Sequence, residues 1–147
     1  MTLHKVAGKP VGEDSGDLRL WLERLEGCPP ITATALAHCE NDAHGDEPPT
    51  WFYVEGDATE GIVRRRCLAC GGVKHVLDSE ERWTHPPMTA CSTCGQSMFE
   101  LGAGFHLDDR GVDWLAVGVR CVGCGTIEGV TDMGAAGLSL DEASAAI

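Results

Sequence analysis

Arg66-Cys67-Leu68-Ala69-Cys70-Gly71 and Arg120-Cys121-Val122-Gly123-Cys124-Gly125 write one hexapeptide pattern twice, and Cys91-Ser92-Thr93-Cys94-Gly95 repeats its centre a third time. A Cys-x-x-Cys pair makes a poor structural disulfide, because so short a loop constrains little of the unfolded chain. It makes a good half of a metal cage. Two thiolates reach one ion from a tight turn, and the glycine that follows takes a positive φ without penalty. Backbone N–H groups can then point at the sulfurs and offset their charge. Two such turns at strand ends supply four ligands in a tetrahedron, an arrangement that suits Zn²⁺.

Cys91, Cys94, Cys121 and Cys124 form a complete set, with residues 95–120 between the pairs long enough for a β-hairpin. Iron is the other ion such a cage accepts. The other half of the chain is less regular. Cys67 and Cys70 form an intact knuckle, but the segment before it reads Ala37-His38-Cys39-Glu40-Asn41-Asp42-Ala43-His44, with no Cys-x-x-Cys. Cys39 and His44 are the expected pair, since thiolate plus neutral imidazole is an accepted zinc set. His38 could replace His44, and Cys28 is a more distant candidate. The cofactor expectation is two Zn²⁺ per chain.

Two segments share a plan. Each opens with Pro-Pro, an apolar residue and Thr-Ala, at 29–33 and 86–90. Each continues with a ligand pair, a hairpin, Arg-Cys-x-x-Cys-Gly, a strand, and an Asp (Asp78, Asp132) at the same offset. Strands are read from alternation. Leu115, Val117 and Val119 share one face. Phe99, Leu101, Ala103, Phe105 and Leu107 share another, with a turn at 108–111 between. The first copy has Trp51–Val54, a turn near 55–57, and Ile62–Cys67. With two CxxCG knuckles flanking a hairpin, residues 88–133 resemble a zinc ribbon. The expected fold is small, metal-stabilised and mainly β: two tandem zinc-ribbon-like units behind an N-terminal amphipathic helix. The expected division is a flexible leader plus helix at 1–28, an irregular first unit at 29–79, a linker at 80–87, a second unit at 88–133 and a tail at 134–147. GLSLDEASAAI within that tail reads equally as a short helix capped by Ser139 or as a fraying end.

The helix is read from Leu18, Trp21, Leu22 and Leu25, which fall on one stripe. Asp14, Ser15 or Asp17 can cap its start, and Gly27 with Pro29-Pro30 ends it. The stripe either packs on the body of the protein or presents Trp21 to a partner.

Net charge bounds the partners. The chain carries −12, and no long segment is basic. Nucleic-acid binders gain affinity by neutralising phosphates with Lys and Arg, so the expectation is a protein partner with a basic surface. The only basic cluster is Arg64-Arg65-Arg66, beside Trp51, Phe52 and Tyr53, and it carries the alternative of direct nucleic-acid contact. A zinc or redox sensor acting through the irregular first site is a further alternative. No P-loop, H-E-x-x-H or Cys/His arrangement away from the expected cages is present, so no enzyme is expected. No apolar run approaches the length of a membrane span and no secretory signal is visible. A count of eight cysteines therefore points to metal binding in a reducing, cytoplasmic setting, with Cys28, where it is not a ligand, a small buried side chain. Zinc-ribbon proteins commonly act as non-catalytic interaction modules within larger assemblies, and the resemblance implies that role here.

Overall fold

The computed structural model describes residues 3–27 and 29–147; Cys28, the distant ligand candidate, lies outside them. The framework is a long antiparallel hairpin, β7 (Phe99–Asp108) and β8 (Gly111–Cys121), turned at Asp109-Arg110 where the sequence places it. Its register sets Phe99 opposite Cys121, Leu101 opposite Val119, Ala103 opposite Val117 and Phe105 opposite Leu115. These side chains are all essentially buried, as strict alternation on one face requires. β9 (Ile127–Leu138) pairs with the far side of β8 and runs past the expected end of the second unit at 133.

The first repeat contributes β4 (Phe52–Asp57), β5 (Ile62–Cys67) and β6 (Val73–His75). β4 joins β7 through the Phe52–Phe99 pair, so strands from both expected units form one seven-stranded sheet in the order β6-β5-β4-β7-β8-β9. β3 (Ala33–Leu36) pairs with β7 further along, Ala35 opposite Ala103. Phe52, Val54, Val63, Phe99, Leu101, Phe105, Leu115 and Val117 fall in a single buried cluster shared by the two repeats. Fully burying one such side chain stabilises the fold by about 1.5–3 kcal/mol.

The opposite face of the central hairpin is lined by glycine and covered by α1 (Ser15–Glu23). A Cβ on Gly102 would lie 2.9 Å from Leu22 Cδ1, and one on Gly118 would lie 2.7 Å from Trp21. The missing side chains let the helix sit directly on the sheet. Leu18 and Leu22 are 0% exposed, with Trp21 and Leu25 partly buried beside them. Asp14 is the N-cap, its side chain accepting from the Asp17 N–H. The helix ends at Glu23, before Gly27. Arg24 closes it by donating to the Leu22 and Trp21 carbonyls, and Leu25 packs against the helix from outside it.

The stretch expected as a flexible leader contains a hairpin, β1 (His4–Val6) and β2 (Lys9–Val11), turned at Ala7-Gly8 with φ of 52° and 81°. A two-residue turn with both central φ positive matches the twist of paired strands. Among the described residues, 80–87 form no helix or strand. Trp83 nevertheless packs edge-on against His75, and Arg82 is held by Asp78 and the carbonyls of Glu60 and Gly61. At the other end, α2 (Leu140–Ala145) forms behind Ser139, with Ser139 and Glu142 completing a reciprocal capping box.

Candidate metal centres

The three CxxCG stretches fold alike. The glycine N–H donates to the carbonyl of the first cysteine in each: Gly71 to Cys67 at 2.9 Å, Gly95 to Cys91 at 2.9 Å, Gly125 to Cys121 at 2.8 Å. The first cysteine's N–H in turn donates to the residue after the glycine: Cys67 to Gly72, Cys91 to Gln96, Cys121 to Thr126, at 2.7–3.0 Å. φ is 74° at Gly71, 77° at Gly95 and 81° at Gly125, the left-handed region the pattern requires. Amides then reach sulfur, with Gly72 N–H donating to Cys70 Sγ at 3.3 Å and Thr93 N–H to Cys91 Sγ at 3.4 Å.

The fourth corner is built differently. Asn41 caps a single 3₁₀ turn, Asp42–His44, by accepting from the Ala43 N–H at 3.0 Å, and this turn carries His44 inward. Cys39 is fixed by its N–H donating to the Pro49 carbonyl at 2.9 Å. His38 is exposed and lies outside the cluster; its carbonyl accepts from Arg65. A side-chain cap and a 3₁₀ turn thus do here what a second glycine knuckle does in the other repeat.

Two clusters result: Cys39, His44, Cys67 and Cys70, and Cys91, Cys94, Cys121 and Cys124. In each, the four ligand atoms lie within 4.8 Å of one another. Cys39 and Cys70 sulfurs are 3.7 Å apart, as are Cys67 Sγ and His44 Nε2. Cys91 and Cys124 are separated by 3.5 Å, and so are Cys94 and Cys121. A disulfide needs about 2.05 Å. A tetrahedron of sulfurs held at about 2.3 Å from a central ion has edges of about 3.8 Å. The spacing fits four ligands around one ion in each cluster. Each cluster has two buried members, one half-buried and one exposed, and Cys67 and Cys121 end β5 and β8, so each ion would sit at a strand end, partly open to solvent.

The sulfurs are electrostatically uneven. The Gly72 N–H bond is the main reason the Cys70 thiol is lowered to about 6, whereas burial raises that of Cys39. Burial pushes Cys121 up to about 12. At Cys124 burial acts in the same upward sense, but hydrogen bonds from the Thr126 hydroxyl and backbone outweigh it and bring the thiol down to about 7. A bound cation favours the thiolate at all of them and removes this unevenness.

The other residues singled out in the sequence are tied into the fold. Trp21 lies half-buried over Gly118 and Gly129. Arg64 makes a two-point ion pair with Glu55 at 3.0 and 2.9 Å and stacks on Trp83 at 4.5 Å. Arg65 is 2% exposed, lies 4.5 Å over the Phe52 ring, and donates to the His38 and Ile147 carbonyls. Arg66 donates to the Gly71 carbonyl at 3.2 Å. Arg120 was not apparent from the sequence. It is 9% exposed and bonds Glu100 at 2.5 Å, the Gly12 carbonyl at 2.8 Å and the Glu13 carbonyl at 2.6 Å, locking the N-terminal segment onto the second knuckle. The sequence carried little signal for it: counted from the 108–111 turn, residue 100 falls opposite 119, and only a bulge between His106 and Leu107 shifts the register by one residue and sets Glu100 across from Arg120.

No protein-family model, curated protein or solved structure matches the chain. It is a small, mainly β protein with two four-ligand Cys/His clusters. Among the described residues, no helix is long and apolar enough to cross a membrane.

Proposed function

We propose that the chain is a non-catalytic zinc protein, with one structural Zn²⁺ in each cluster, that serves as an interaction module for a protein partner with a basic surface. The observation that carries the reading is the four-ligand composition of both clusters. A tetrahedral ion with four protein ligands has no open position at which to activate water or polarise a substrate. Zinc fits the donor sets best, because it accepts both tetrahedral S₄ and S₃N and needs no redox partner. The metals hold the knuckles and the loops they anchor.

A net charge of −12 supports a basic partner over a polyanion. So does the use of Arg64 and Arg65 inside the fold, where Glu55 and backbone carbonyls engage them. Native mass spectrometry of protein purified without chelator tests the metal reading: two Zn²⁺ per chain are expected, and iron or an empty chain would overturn it. Affinity purification from native extract tests the role. A stoichiometric protein released by rising salt is expected, and no partner at low salt would defeat the interaction reading.

A further inference from the structure

Beside the first cluster lies an open groove of about 430 Å³ lined by Glu47, Pro48, Pro49, Thr50, Trp51, Leu68 and Ala69. Trp51 is 48% exposed and is the only aromatic among the exposed large hydrophobics of the described residues. Exposing so large a ring sacrifices burial that a core position would give, and aromatic anchors of this kind dominate binding energy at interfaces. The groove is not a loose loop. The Pro49 carbonyl accepts from the N–H of the ligand Cys39, and the Trp51 carbonyl accepts from the N–H of Leu68, next to the ligand Cys67. Both walls therefore hang on the first metal cluster.

One wall is acidic: Glu47 lines the groove and makes no ion pair among the described residues. The segment leading into it, residues 40–47, carries Glu40, Asp42, Asp46 and Glu47 and no Lys or Arg. Glu40 lines a separate cleft with Lys74, its ion-pair partner.

We infer that this groove is the docking site for a basic polypeptide segment in which Lys or Arg flanks an apolar side chain. This rests on the interaction reading above and names its surface. The apolar residue would fill the space between Trp51, Pro49 and Leu68. The flanking cation would lie on the exposed face of the Trp51 ring, where its quadrupole attracts positive charge, in the groove that Glu47 also lines. Glu47 and the acidic segment before it disfavour a nucleic-acid backbone. The metal pre-forms the walls, so little ordering cost falls on this side of the interface.

The test is a peptide-library selection against the full, zinc-loaded chain, with Trp51→Ala as a parallel target. Zinc count and circular dichroism establish that the variant folds. Enriched peptides are expected to be Lys- or Arg-rich around an apolar residue, and to bind Trp51→Ala at least about tenfold more weakly. Asp46→Lys/Glu47→Lys should weaken them too, while Val6→Ala, on a different exposed residue, should not. Basic peptides indifferent to Trp51→Ala would overturn this site and leave the interaction reading standing. Acidic or uncharged peptides would overturn the charge argument. No enrichment on either target would count against both readings. Sedimentation closes the remaining outcome: a zinc-loaded dimer that Trp51→Ala dissolves would assign the groove to a second copy of this chain instead.

Discussion

Replacing Arg120 with Met tests the account of how the N-terminal segment, the central hairpin and the second knuckle are held together. Arg120 and Glu100 are each 9% exposed and face one another across β7 and β8. The guanidinium contacts the carboxylate at 2.5 Å and the Gly12 and Glu13 carbonyls at 2.8 and 2.6 Å. Methionine keeps most of the aliphatic volume but leaves Glu100 as a buried, unpaired charge. Breaking a buried pair by removing one partner costs about 3–5 kcal/mol, a large part of the total stability of about 5–15 kcal/mol typical of a domain.

Burial already raises the Glu100 carboxyl, with Arg120 opposing it. Without Arg120 the folded-state pKa rises further. The native state then holds a proton that the unfolded chain, titrating near 4.5, has released. The penalty is therefore full above the folded pKa and shrinks as pH falls through it toward 4.5. Urea denaturation at fixed free zinc, followed by tryptophan fluorescence, measures the loss. With a slope of about 2 kcal/mol per molar, the midpoint should fall by about 2 M. Glu100→Gln/Arg120→Met should recover at least about 1 kcal/mol of the single variant's loss, because no charge is left stranded. A loss below about 1 kcal/mol, or a double variant no more stable than the single one, would refute the reasoning.

Removal of metal by a strong chelator should unfold the 88–133 region, since structural zinc supplies about 10–16 kcal/mol of apparent binding energy in small peptides; circular dichroism unchanged at zero metal content would contradict this. His44→Ala should leave one metal of two by native mass spectrometry, while His38→Ala should retain both, because only the His44 ring enters the cluster. Gly71→Ala and Gly125→Ala separate backbone strain from collision. The first meets nothing within 4 Å and should cost only the left-handed conformation, about 1–2 kcal/mol, while the second places a Cβ 2.4 Å from the Gly12 carbonyl oxygen and should cost more and release the N-terminal hairpin to hydrogen exchange. Arg65→Met should free residues 139–147 to exchange through loss of its bond to the Ile147 carbonyl; protection equal to that of the unaltered chain would count against that anchoring.

The metal knuckles were legible in the sequence because their information is local. Cys-x-x-Cys-Gly fixes a turn, a positive φ and two sulfur positions within five residues, and all three copies adopt it. The β7–β8 hairpin was legible for the same reason, as alternation marks its two strands and a four-residue turn joins them, but its register was not: a bulge between His106 and Leu107 shifts the pairing by one residue from what the turn alone would set. The amphipathic stripe of α1 was legible too, though its end was not, since Arg24 and tertiary packing of Leu25 stop the helix before any sequence signal does.

What only the tertiary structure decided depends on residues far apart in the chain. His44 rather than His38 reaches the first cluster because Asn41 caps a 3₁₀ turn, a choice between two nearby imidazoles that spacing leaves open. The Phe52–Phe99 pair and the pairing of β3 with β7 merge the strands of the two repeats into a single sheet. Arg65, one residue of a basic run, is buried because strand alternation turns it onto Phe52 while Arg64 faces Glu55 and Trp83. A linear sequence states which side chains can bind a metal or carry a charge; which of them share a face, and which are removed from solvent, is settled only when β5 takes its place in the sheet.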